Sequence, residues 1–322
     1  MSGRLLDVDP AAYQPHSLHH TGRAWPETNC YVDLWIEVIA SLGQEPEAML
    51  GFTVTQDFEG DQFTFFKVPL EDLEILYGIV VGELAIYDRV ENHARVQRDR
   101  GRLVLVEVDG CYLPDTRGVS YREKHTKTTI GINALDVPGR SMEYFHNAGL
   151  FRLEGEDFDL LFNRTPAQRE NSDLLFPYAE FAKFPAVRGQ PVDRGSVERL
   201  LARHLSRRPR QNPVAAFRAA FPSHVEHLAR QPLDGFHDYA FNTLRQLGAN
   251  FELLRSHLHW LDGSRFERGI VAAGRIADGA KTAQFQLARA VSRGRPDALG
   301  AILGELAEAY DALMDDLDRA LA

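Results

Sequence analysis

From Asn29 to Gly43 the chain reads NCYVDLWIEVIASLG, and Leu34, Trp35, Val38, Ile39 and Leu42 recur at helical spacing. Asn29 or Thr28 can cap the start and Gly43 supplies the stop, so the pattern predicts a helix with one apolar face and Cys30 in its first turn. DQFTFFKVP reads as a strand, and PLEDLEILYG as a short helix entered by Pro and left by Gly. DRVENHARVQRDRG reads as a polar helix leading into RLVLVEVD, whose apolar run suits a buried strand. HTKTTIGINAL and SMEYFHNAG flank DVPGR, which predicts an antiparallel hairpin turning at Pro138 and Gly139.

The pattern changes from about Val192. Ala, Leu and Arg now recur at helical spacing in SVERLLARHLSRR, PVAAFRAAFPSHVEHLAR, DYAFNTLRQLGANFELLRSHLHWL, FERGIVAAGRIADGAKTAQFQLARAVSRG and DALGAILGELAEAYDALMDDLDRALA. About five helices are expected, broken near Pro209, Pro213, Pro232, Gly263 and Pro296. The expected organisation is an α+β domain over residues 1–187 and a helical bundle over 192–322, joined through the Pro- and Gly-containing segment from Phe184 to Gly195.

Composition sharpens this little: with 44% hydrophobic and 25% charged residues in 322, the chain is an ordinary globular protein. A formal net charge of −10 argues against nucleic acid or an anionic membrane as the main partner, because both are bound through excess Lys and Arg. Neither a membrane span nor the apolar core of a signal peptide is visible, so a cytoplasmic location is expected, where both cysteines stay reduced.

Cys30 is the chemical focus. A thiol at a helix N-terminus feels the positive end of the peptide dipoles, which favours thiolate. His125 begins the first hairpin strand and Asn147 follows the second, so the hairpin brings these positions near each other. Cys30 as nucleophile, His125 as base and Asn147 as orienter make a Cys-His-Asn triad. His146 is a rival for Asn147, and strand alternation sends the two to opposite sides. Asp136 is a further candidate third member, but sits at the distal turn. Cys111 has no visible partner and reads as a packed thiol.

The order of cysteine on an N-terminal helix, histidine on a strand and Asn after the next strand resembles the papain-like cysteine peptidase fold. WPETNCYVDLWIE, DFEGDQFTFFKVPLEDLEILYGI, GRLVLVEVDGCYLPDT and YFHNAG resemble more closely the family called domain of unknown function 1839, over roughly Trp25 to Phe181. That family resembles the N-terminal domain of butirosin biosynthesis protein H, which moves an acyl group from a carrier-protein thioester to an aminoglycoside amine. The resemblance implies a papain-like fold followed by an all-α domain, and acyl or aminoacyl transfer to an amine or water. It also implies partnership with an acyl carrier protein, or with a ligase that loads amino acids onto carrier proteins. No cofactor is implied beyond the phosphopantetheine a carrier-borne substrate would bring. Where papain-like peptidases place an oxyanion-binding Gln, six residues before the nucleophile, this chain has Ala24. The oxyanion hole would then need the Cys30 backbone N–H and another donor, with Asn29 the candidate. Peptidase activity therefore ranks below acyl transfer, and below a non-catalytic papain-like module that binds the carrier protein or its ligase.

The remaining polar clusters read as structure. His16 to His20 and His257 to His259 lack recognised zinc spacing. Asp57 to Asp61 lacks the calcium-loop pattern and reads as a turn, although its carboxylates could attract a substrate amine. Arg207 to Arg210 reads as a solvated helix end that could also dock an acidic carrier protein.

Overall fold

The computed structural model describes residues 3–166, 168, 176–185, 191–231, 233–293 and 297–322. Pro232, Pro296 and the middle of the expected linker, residues 186–190, lie outside the described residues. The chain divides into two compact units. The first comprises residues 1–17, 29–46 and 73–191; the second comprises 18–28, 47–72 and 192–322. Two stretches from the sequence-predicted N-terminal domain thus belong to the helical unit.

The first unit is mixed helix and sheet. Its strands are β1 (Val80–Glu83), β2 (Arg102–Asp109), β3 (Lys127–Asp136), β4 (Ser141–His146), β5 (Gly149–Glu154) and β6 (Ala179–Lys183), in antiparallel order β1-β6-β2-β3-β4-β5. The predicted hairpin is β3–β4, pairing Gly131 with Phe145. The register slips between Ile132 and Ala134, a bulge at the buried Asn133. The Asn133 side chain exchanges hydrogen bonds with the Leu6 backbone at 2.9 and 3.1 Å, pinning the N-terminal segment to the sheet.

The strand's alternating sides define two cores. Val104, Val106, Ile130, Ile132 and Tyr144 meet Phe158 and Leu161 of α4 (Glu156–Leu161) and Ala94 of α3 (Val90–Asp99). On the other face lies α1 (Cys30–Ser41), with Leu34 packed where a side chain on Gly131 would stand. Far from having one apolar face, α1 is buried from Tyr31 to Ile39 on all sides, including Asp33 and Glu37. The burial is tolerable because the Glu37 carboxylate accepts from the Tyr13 hydroxyl at 2.5 Å and the His16 backbone N–H at 3.0 Å.

The strand expected over residues 61–69 does not form. Only an isolated bridge, Phe58 to Phe63, is present, because these rings serve as packing elements with Phe217 rather than as ladder members. The next segment is helical as expected, α2 (Leu70–Tyr77). The second unit contains α5 (Arg194–Leu205), α6 (Pro213–Leu228), α7 (Leu233–Ala240), α8 (Gln246–Asp262), α9 (Glu267–Arg293) and α10 (Asp297–Leu321). A π-helical turn at Phe241–Arg245 joins α7 to α8, so one predicted helix becomes two that run on from each other. Trp25 is built into this unit: its indole N–H donates to the Ala277 carbonyl at 3.0 Å.

Candidate functional site

Every side chain of the candidate site belongs to the first unit. β2 ends at Asp109, whose Oδ1 accepts from the Cys111 backbone N–H at 3.0 Å and so caps the short turn Gly110–Tyr112. The same oxygen accepts from the Thr126 N–H at 3.2 Å, closing the loop back onto β3. Oδ2 lies 2.5 Å from His125 Nδ1. The Tyr112 ring meets the imidazole edge-on with centroids 6.1 Å apart. Burial and the neighbouring Asp109 raise the Tyr112 phenol above its ordinary pKa.

The His125 side chain is 74% exposed, with Nδ1 engaged and Nε2 open. It lines a cleft of about 900 Å³ floored by Val106, Val108, Leu161 and Phe162. Lys127 and Glu107, paired at 2.9 Å, stand on its rim. The cleft thus presents one oriented imidazole above an apolar floor, the pattern of a small-molecule site.

Cys30 is placed differently. It is the first residue of α1 and half-buried. The Asn29 side chain accepts from the Tyr31 and Val32 N–H groups at 3.2 and 3.0 Å, so its oxygen is the helix cap. Asn29, the oxyanion candidate, therefore serves α1 through that oxygen. The Cys30 sulfur lies 3.9 Å from Thr129 Oγ1, on the α1 side of the sheet. Tyr112, against which His125 rests, packs with the core on the opposite side. Thiol and imidazole are not joined by a hydrogen bond: the sulfur's goes to Thr129 and the imidazole's to Asp109.

Asn147 sits in the tight turn between β4 and β5 with φ +44°, next to the His146–Gly149 pair. Left-handed backbone is what Asn tolerates best after Gly, which explains the residue there. The partner on His125 Nδ1 is Asp109, not Asn147. His146 is buried with Asp115: its Nδ1 lies 2.5 Å from Asp115 Oδ2 and its Nε2 2.7 Å from Thr128 Oγ1. Tyr144 donates its hydroxyl to the other Asp115 oxygen. This closed network ties the loop after β2 to the sheet beneath it.

Asp109 was missed as an orienter, although an Asp ending an apolar strand before Gly is a turn-capping signal. Nothing in local spacing marks Thr128, Thr129 or Asp115, whose partners are distant in sequence. Cys111 is buried in the capped turn. Asp136 accepts from the Gly139 N–H at the distal hairpin turn. Asp57 caps its own turn through the Phe58 N–H at 2.7 Å. Arg208 of the basic cluster forms a two-pronged pair with Asp318. Among the described residues no group of three or more His, Cys, Asp or Glu converges to hold a metal. Nor, among them, is any helix long and apolar enough to cross a membrane.

A comparison with curated proteins finds no match. Two family models do match, the DUF1839 N-terminal domain over residues 14–184 and the DUF1839 C-terminal domain over 191–319. Together they span both the sheet-containing region and the helices, so the chain belongs to the DUF1839 family.

Proposed function

We propose that this protein transfers an acyl or aminoacyl group from a thioester to an amine or water, with His125 as the general base. The observation that carries this reading is the imidazole itself, anchored to Asp109 at Nδ1 and open at Nε2 in a cleft of about 900 Å³. With its Nδ1–H donated to the carboxylate, the neutral ring keeps its lone pair on Nε2, where a base needs it. The acceptor nitrogen or oxygen bonds to the thioester carbonyl carbon while Nε2 takes its proton. The C–S bond then breaks, and the departing thiolate receives that proton. A thioester suits such a site because its leaving group is already good. The donor would be carried on the phosphopantetheine of a carrier protein, and the apolar cleft floor would accept the acyl chain.

A second reading keeps Cys30 as a papain-like nucleophile. It is favoured by the thiol's place at the capped, half-buried start of a helix packed on an antiparallel sheet.

A panel of acyl and aminoacyl N-acetylcysteamine thioesters, with and without amine acceptors, separates the readings by release of thiol. His125→Ala should lower turnover about a hundredfold or more and Asp109→Asn about tenfold, with Cys30→Ser near wild type. Loss of turnover in Cys30→Ser, with an acyl adduct on Cys30 by mass spectrometry, would replace the first reading by the second. Saturable binding of the thioesters without turnover would mean a non-catalytic module.

A further inference from the structure

Acyl transfer puts negative charge on the carbonyl oxygen of the donor, and the group expected to meet it, Asn29, has its side-chain oxygen turned to the start of α1. The cleft around His125 holds a better placed donor. Tyr112 lines that cleft, and its ring meets the imidazole edge-on with centroids 6.1 Å apart. The residue is half-buried, yet its hydroxyl has no hydrogen-bond partner among the described residues. A phenol in such a place ordinarily finds one.

One carboxylate positions both rings. Asp109 Oδ1 caps the turn Gly110–Tyr112 through the Cys111 N–H at 3.0 Å, and the Leu113 N–H closes that turn on the Gly110 carbonyl at 3.1 Å. Asp109 Oδ2 holds His125 Nδ1 at 2.5 Å. The Tyr112 ring is further steadied by the apolar core it packs against. Phenol and imidazole are thus set relative to each other before a substrate arrives, as an oxyanion donor and a base must be. Two other donors on the cleft wall are engaged elsewhere. The Lys127 ammonium is paired with Glu107 at 2.9 Å, and the Thr126 hydroxyl is turned to Gly110, where a Cβ would fall 2.7 Å from it. Burial, and then Asp109, keep the phenol protonated.

We propose that the Tyr112 hydroxyl is the oxyanion donor of this site, a catalytic residue beside the His125 base; the assignment rests on the acyl-transfer reading above. As the acceptor nitrogen or oxygen bonds to the carbonyl carbon, the C=O π pair moves onto the oxygen, and the Tyr112 O–H donates to it. Nε2 takes the acceptor's proton. The pair then returns to re-form C=O as the C–S bond breaks, and the thiolate leaves with the proton from Nε2. Tyr112 keeps its own proton throughout. Because its hydrogen bond is stronger to the oxyanion than to the carbonyl, it speeds the reaction rather than tightening substrate binding.

The N-acetylcysteamine thioester panel with the full chain tests this. Tyr112→Phe keeps the ring against the imidazole and removes only the oxygen. It should lower kcat about a hundredfold and leave KM within about twofold of wild type, as expected for an interaction made in the transition state. A ring that merely braces His125 would instead leave Tyr112→Phe at wild-type kcat and show its loss only in Tyr112→Leu. A second readout needs no turnover: the infrared carbonyl band of an isotope-labelled thioester bound to His125→Ala. That band should lie at lower frequency than in His125→Ala/Tyr112→Phe, because a hydrogen bond weakens C=O. Wild-type kcat in Tyr112→Phe alongside lost turnover in His125→Ala overturns the Tyr112 assignment and leaves the base reading standing, as does an unshifted band. Full turnover in His125→Ala, or a panel in which no thioester binds or turns over, overturns the acyl-transfer reading and the assignment with it.

Discussion

His257 is a histidine whose pKa works against stability in acid. It lies on α8, its Nδ1 2.8 Å from the Glu47 carbonyl and its Nε2 buried without a partner. Nδ1 must therefore carry the proton of the neutral ring, and a second proton on Nε2 would be buried near Gly51 with nothing to accept it. Burial lowers the pKa from 6.5 to about 4. The folded state resists a proton that the unfolded chain takes up readily, so stability falls as pH drops below about 6.5 and levels off only below about 4. At 1.36 kcal/mol per pKa unit the full loss is about 3 kcal/mol. By linkage, about 2 kcal/mol of it is already gone at pH 5. His257→Asn keeps a donor near the Nδ1 position but cannot titrate. Urea unfolding of both proteins at pH 7 and pH 5, followed by tryptophan fluorescence with the Trp260 ring tilted against the imidazole at 6.4 Å between centroids, reads the difference. Wild type should lose about 2 kcal/mol more than the variant over that interval. Equal losses would refute the reasoning, since every other titrating group is common to both.

Two further substitutions probe packing and polar satisfaction. Gly248→Ala replaces a helical glycine by a better helix former, worth about 1 kcal/mol, yet the new Cβ would fall 2.5 Å from Cε2 of the Trp25 indole. A net destabilisation of about 1–3 kcal/mol is expected in urea unfolding, and a stabilised variant would show the indole free to move. Tyr144→Phe strips the hydroxyl that Asp115 accepts and leaves a buried carboxylate oxygen short of a donor. It should cost about 1–3 kcal/mol in the same assay, whereas an unchanged midpoint would mean that water replaces the hydroxyl.

Much of the architecture was legible along the chain. The Asn29 cap and Gly43 stop bracket α1, and β2 follows from its apolar run. The β3–β4 hairpin follows from the turn residues between two alternating segments. The helices after Val192 follow from their 3.6-residue period. All of these rest on interactions a few residues apart. The short strands β1, β5 and β6 escaped because four to six residues carry too little period to register, and β6 is held by distant neighbours on both sides. The 61–69 stretch misled because its aromatic run suits a strand, but Phe63 is drawn into a cluster with Phe217, far along the chain.

The same division runs through the candidate site. Cys30 at the start of a helix was readable, since caps are local, whereas His125 stands two residues ahead of β3 rather than at its start. Which groups they meet was not readable: Asp109 closes on His125 only because β2 and β3 pair Asp109 with Lys127. Thr129 meets Cys30 only because α1 lies across β3. Sequence by itself determined the longer elements and the residue types able to do chemistry. Tertiary structure alone decided which of those residues share a face of the sheet, because a strand's alternation sends neighbours in sequence to opposite sides and strand pairing brings distant residues together.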